Sequence, residues 1–98
     1  MKLVFHPEAW EELLESARFY EERDEGLGWQ FLEAVQDTTR RIREFPQSGP
    51  VERADIRKGF VSGFPFTVLY QIHKDRIFIA AVMHQHRRPG YWMNRFRG

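Results

Sequence analysis

Residues 55–86 read DIRKGFVSGFPFTVLYQIHKDRIFIAAVMHQH, and the fold follows from their periodicity. Asp55 to Val61 is the first of three strand-like runs, with Ile56 and Phe60 alternating against Arg57 and Gly59. Phe64 to His73 is the second. It sets Phe66, Val68, Tyr70 and Ile72 on one face and Thr67, Leu69, Gln71 and His73 on the other, the two-residue period of a strand. Arg76 to His84 is the third, and it is apolar on both faces, which predicts a central place in a sheet. The pairs Ser62-Gly63 and Lys74-Asp75 have hairpin length, although the second lacks the glycine that a type I′ turn prefers. An antiparallel meander is the expected outcome.

Upstream, the spacing changes. From Pro46 to Arg53 the residues Pro46, Ser48, Gly49 and Pro50 mark a loop. Before it, Leu27, Phe31, Ala34, Val35, Thr38, Ile42 and Phe45 fall at helical spacing, with Arg40, Arg41 and Arg43 in the last turns, where cations suit the carbonyl end. An earlier stripe of Trp10, Leu13, Leu14, Ala17 and Tyr20 predicts another helix, with Pro7 in its first turn and His6 as its cap. Gly26 and Gly28 interrupt the two, so the helices form a hairpin. Lys2 to His6 is a short strand candidate. The expected fold is α+β, in the order β-α-α-β-β-β. It is a small, mainly antiparallel sheet with an N-terminal helical hairpin on one face, one domain over residues 1–98.

Composition narrows the function classes. The chain is 42% hydrophobic and 15% aromatic with a net charge of +1, which excludes a default of disorder. It has no cysteine, so a disulfide scaffold, a thiolate zinc site and a cysteine nucleophile all fall away. The longest apolar run, Ile77 to Met83, is seven residues, far short of the roughly 20 that a membrane span needs. No secretory signal is visible at the N-terminus, so a cytoplasmic location and no membrane partner are expected. The small net charge conceals a division: Met1–Glu44 carries −5 and Phe45–Gly98 carries +6. Either the second half offers a basic surface to an anionic partner, or an acidic helical half docks on a basic strand half.

Three constellations could carry chemistry. Arg57-Lys58 on the first strand of the meander and Arg87-Arg88 just after the last could meet over one sheet face and grip phosphate, or they could be a solvated edge that discourages strand aggregation. His84 and His86, two apart at a strand end, could serve as an acid/base pair, or be plain solvated histidines. They are poor metal ligands, because no acidic residue or cysteine occurs between Arg76 and Gly98 to complete a site. The tail interleaves Arg87, Arg88, Arg95 and Arg97 with Tyr91, Trp92 and Phe96. Such aromatics can stack on bases or fill a protein interface; docking back onto the sheet is the favoured reading for Trp92, whose area is costly to leave in water.

These residues in this order resemble the RelE/ParE superfamily of bacterial toxins from type II toxin–antitoxin modules, including plasmid stabilisation proteins. The resemblance rests on Phe5-His6-Pro7-Glu8-Ala9, Phe45-Pro46-x-x-Gly49-Pro50 and Ile56-Arg57-Lys58-Gly59-Phe60. It continues through Phe64-Pro65-Phe66-x-Val68-x-Tyr70 and Ala81-Val82-Met83-His84-x-His86-Arg87-Arg88-Pro89. It implies one of two mechanisms. RelE-like toxins cleave mRNA in the ribosomal A site; Arg57, Lys58, His84, His86, Arg87 and Tyr91 would then be the catalytic candidates, without a metal or other cofactor. ParE-like toxins bind DNA gyrase and stall it, and Arg57, Lys58, Arg87, Arg88, Tyr91 and Trp92 would then form the contact surface. A histidine followed by paired arginines, proline and tryptophan looks more like the ParE side, although ParE-like tails commonly place an aspartate where Pro89 directly follows Arg88. Either way the resemblance implies a cognate acidic antitoxin, held with the toxin in a hetero-oligomer. A third alternative is an inactive toxin-fold interaction module.

Overall fold

The meander forms as its periodicity predicts. A computed structural model describes residues 1–96; Arg97, counted above with the tail, lies outside the described residues. In chain order the elements are β1 (Lys2–Phe5), α1 (Pro7–Arg23), α2 (Leu27–Glu44), β2 (Val51–Arg53), β3 (Ile56–Phe60), β4 (Phe66–Ile72) and β5 (Arg76–His84). A 3-10 turn at Met93–Phe96 follows. The strands form one sheet in the order β1-β5-β4-β3-β2, with β1 parallel to β5 and the other pairs antiparallel. The doubly apolar β5 thus lies inside the sheet. The expected order gains one strand: β2 falls in the stretch read as loop. Its three residues are all exposed at the sheet edge, so no apolar alternation betrays it.

Local chemistry sets the helices. His6 caps α1 by accepting the Glu8 N–H on Nδ1 at 3.0 Å, and Pro7 fills the first turn. The N-terminus of α2 has no Ser, Thr, Asp or Asn cap. Glu21 of α1 replaces it, taking the Gly26 and Gly28 N–H groups on its two carboxylate oxygens, each at 2.9 Å. Gly26 adopts a φ of +88°, and a Cβ on Gly28 would lie 2.6 Å from the Ala17 carbonyl oxygen. Glycine is what lets the helices turn and pack this closely.

The hairpin covers one face of the sheet. Ala9, Leu13 and Ala17 of α1 and Phe31, Val35 and Ile42 of α2 pack on Val68, Tyr70, Ile77 and Ile79. Here the first apolar stripe needs correcting: Trp10 and Leu14 are exposed at 49% and 41%, flanking the contact, while the small Ala9 and Ala17 take its centre. Ala17 sits at the seam with α2, where its carbonyl faces Gly28. On the opposite face, Ile56, Leu69 and Ala81 form a second, smaller core that the C-terminal segment closes with Trp92.

Candidate functional site

The site is built where β1 leaves the sheet. β1 follows β5 only as far as Ile79, whose carbonyl accepts the His6 N–H at 2.8 Å. At that point β5 bulges: Tyr70 pairs with Ile79 and Leu69 with Ala81, so Ala80 is the extra residue. The backbone groups of β5 beyond the bulge face an empty strand position, and side chains fill it. Arg95 Nη1 donates to the Ala80 carbonyl at 3.0 Å, and the Val82 N–H donates to Glu12 Oε1 at 3.0 Å.

Glu12 and Arg95 also bind each other in a two-pronged pair, Nη1 to Oε1 at 3.0 Å and Nη2 to Oε2 at 2.9 Å. The Tyr91 hydroxyl donates to the same Oε2 at 2.7 Å. The Arg95 side chain is only 6% exposed and that of Glu12 14%, so this is an ion pair inside the protein. Burial pulls the Arg95 guanidinium down, and the surrounding groups, Glu12 foremost with Tyr91 and Glu8, more than restore it. For Tyr91, burial, the hydrogen bond to Glu12 and the charge of Glu12 all push ionisation well above the ordinary phenol range; Arg95 and Arg87 oppose only in part.

Arg87 completes the arrangement. Its guanidinium carbon lies 4.0 Å from the centre of the Tyr91 ring, and that of Arg95 lies 4.9 Å away. Arg87 and Arg88 are both exposed on the turn after β5. His84 packs edge-on against Phe66 and stacks on His86 at 5.2 Å, its Nδ1 accepting the His86 N–H. That bond assigns any proton on neutral His84 to Nε2. Beside them a groove of about 450 Å³ runs between α1 and the end of β5, with Phe19, Tyr20 and Phe66 as its apolar wall; its polar lining is mixed in charge, Glu12 and Glu15 on the helix facing His84 and Arg87. Among the described residues, no group of three or more histidines, aspartates and glutamates is arranged to hold a metal ion.

The structure separates residues that the sequence suggested could meet. β3 and β5 flank β4 and therefore run in the same direction, so the start of one and the end of the other lie at opposite ends of the sheet. Arg57 pairs with Tyr70, opposite Ile79, whereas Arg87 lies beyond His84; five residues of β5 separate the rows, roughly 16 Å. Arg57 Nη1 donates to the Gln47 and Gly49 carbonyls on the hairpin side, and Lys58 pairs with Glu52 at 3.0 Å on the other. The four cations form two clusters, not one. Trp92 is 3% exposed in the second core, so in this conformation it presents almost nothing to a partner. Glu12, which organises the whole site, did not stand out in the sequence. The one available signal was an acidic residue in a helix facing a tail of arginines.

Known proteins resemble the chain in both sequence and fold. The family described as "ParE toxin of type II toxin-antitoxin system, parDE" matches residues 3–89. A chain of the chromosomal ParDE TA system from P. aeruginosa superimposes with a TM-score of 0.62 at 20% identity, covering 86% of this chain and 95% of that one. No curated protein matches. Among the described residues, no helix is long and apolar enough to cross a membrane.

Proposed function

Because the chain belongs to the ParE toxin family of type II toxin–antitoxin systems, we propose that it arrests bacterial growth by binding DNA gyrase through the Arg87–Arg88 end of its sheet, and that a cognate acidic antitoxin neutralises it. The observation that carries this reading is the state of Tyr91. Cleaving RNA through its own 2′-hydroxyl takes a base, a cation to hold the developing negative charge and an acid for the leaving oxygen. His84 or His86 could serve as base and Arg87 as the cation. Tyr91, however, spends its hydroxyl on a hydrogen bond to Glu12 and is held far from ionising, with two guanidinium groups against its ring. With Tyr91 committed in this way, the leaving oxygen would have to draw its proton from the second histidine of the pair. What remains is an exposed basic turn beside an aromatic groove, which suits binding a large partner and calls for no cofactor.

Two assays on the induced toxin test the proposal together. Supercoiling by gyrase should fall in proportion to added toxin, while the 5′ ends of cellular mRNA stay unchanged. Ribosome-dependent cuts in mRNA with unaffected gyrase would replace gyrase binding with the RelE-like mechanism. Normal growth despite abundant soluble protein would leave only an inactive interaction module.

A further inference from the structure

We propose that Glu12 is a positioning residue for target recognition: through Tyr91 it holds the Arg87 guanidinium in place before any partner arrives. The inference rests on the reading of Arg87 as part of the target surface and adds a residue to it. Arg87 sits on an exposed turn, and among the described residues it makes no salt bridge. Its guanidinium is located instead by the face of the Tyr91 ring at 4.0 Å.

That ring needs an anchor of its own, because Tyr91 follows Gly90, which turns the chain with a φ of +78°. The ring rests against the second core, and its outer end is anchored by the bond from its hydroxyl to Glu12, which is in turn fixed by Arg95 and the Val82 N–H. A relay thus runs from the helical hairpin, across the open edge of β5, to the exposed cation. An arginine stacked in advance gives up less side-chain freedom on binding than one free in water, so the relay should strengthen binding without touching the partner.

The test follows Arg87 itself. In the folded wild-type protein, NMR should show the Arg87 side-chain protons shielded by the Tyr91 ring. Glu12→Gln should move them towards their unstructured positions and weaken binding to purified DNA gyrase roughly two- to fivefold, the range expected for losing one exposed cation–π restraint. Tyr91→Phe keeps the ring and cuts only the link to Glu12, so it answers the question if the Glu12 variant does not fold. In an Arg87→Ala background, Glu12→Gln should cost no further affinity, because the residue it positions is gone.

A purely structural role gives different results. Arg87 signals that stay put in folded Glu12→Gln and Tyr91→Phe protein overturn the proposal. So does an affinity loss on Glu12→Gln that persists undiminished without Arg87. If the wild type binds no gyrase, or Arg87→Ala binds as well as wild type, it is the reading of the target surface that fails. The Arg87 signals still decide whether Glu12 holds this side chain.

Discussion

Arg57 reaches back to the turn that follows α2, its Nη1 2.8 Å from the Gly49 carbonyl oxygen and 3.0 Å from that of Gln47. The Tyr70 hydroxyl donates to Pro46 in the same turn at 2.7 Å. Gly49 is pressed so closely against the Tyr70 hydroxyl and the Lys58 carbonyl that no side chain fits there. The first cation of the meander therefore fastens the loop between hairpin and sheet.

Arg57→Ala should accordingly lower stability by about 1.5–3 kcal/mol, the range for hydrogen bonds made by a charged group. Arg88→Ala, on an exposed turn, should change it by no more than about 0.5 kcal/mol. Urea denaturation midpoints give the comparison. If growth arrest is scored at matched levels of folded protein, Arg88→Ala should relieve it more than Arg57→Ala. Equal midpoints for the two variants would remove Arg57 from the framework.

Removing the Glu12 carboxylate altogether should be far more damaging than breaking a surface pair. Glu12→Ala strips the buried Arg95 guanidinium of its two close carboxylate contacts and leaves only the more distant, exposed Glu8 at 3.9 Å, so it should approach the about 3–5 kcal/mol cost of breaking a buried pair. Arg40→Ala breaks a pair with Asp37 that is more than half exposed on both sides, and should cost less than about 1 kcal/mol. Trp92 supplies the readout: with the exposed Trp10 and Trp29 replaced by phenylalanine, its emission should move to the red in Glu12→Ala as the tail leaves the sheet. Unchanged emission would mean that the second core holds the tail without Glu12.

Much of this architecture was legible in the sequence because burial and periodicity coincide. β5 occupies Arg76–His84 as its apolar run predicts, and His6 and Pro7 begin α1. β2 was not legible, since an exposed edge strand is held by backbone pairing, which leaves no trace in side-chain pattern. The site was half legible. Arg87, Arg88 and Tyr91 stand out as a basic and aromatic group, but Glu12 is one of several glutamates on α1, and its hydroxyl and guanidinium partners lie 79 and 83 residues away. Helical spacing places it on the polar side of α1. Only the early end of β1 gives that side a sheet edge to meet.

Alkaline pH should loosen the protein through its tyrosines. Burial raises all three, Tyr20, Tyr70 and Tyr91, and the Glu12 carboxylate raises Tyr91 further. Unfolded tyrosines ionise at about pH 10, so above that point the unfolded chain has lost protons that the folded one keeps. The stability these groups contribute is complete below about pH 10 and falls as the pH rises beyond it. Phenolate absorbance should therefore appear at higher pH in native than in denatured protein, and Tyr91→Phe should flatten the alkaline fall in stability. Native and denatured titrations that overlay would contradict it.

The last prediction concerns how the antitoxin arrives. Residues 45–98 carry a charge of +6, and Arg87 and Arg88 stand exposed beside the groove along α1. An acidic partner that docks a helix in that groove or adds a strand at the sheet edge would be drawn in over a distance comparable to the Debye length, about 8 Å at physiological salt. Steering of this kind acts on the encounter, so raising the salt should slow association by roughly tenfold or more while changing dissociation much less. Arg88→Glu should slow association in the same way even at low salt. Stopped-flow mixing with the purified cognate antitoxin measures both rates. An association rate that is the same at low and high salt would show that the groove and the strand edge, not the charge, select the partner.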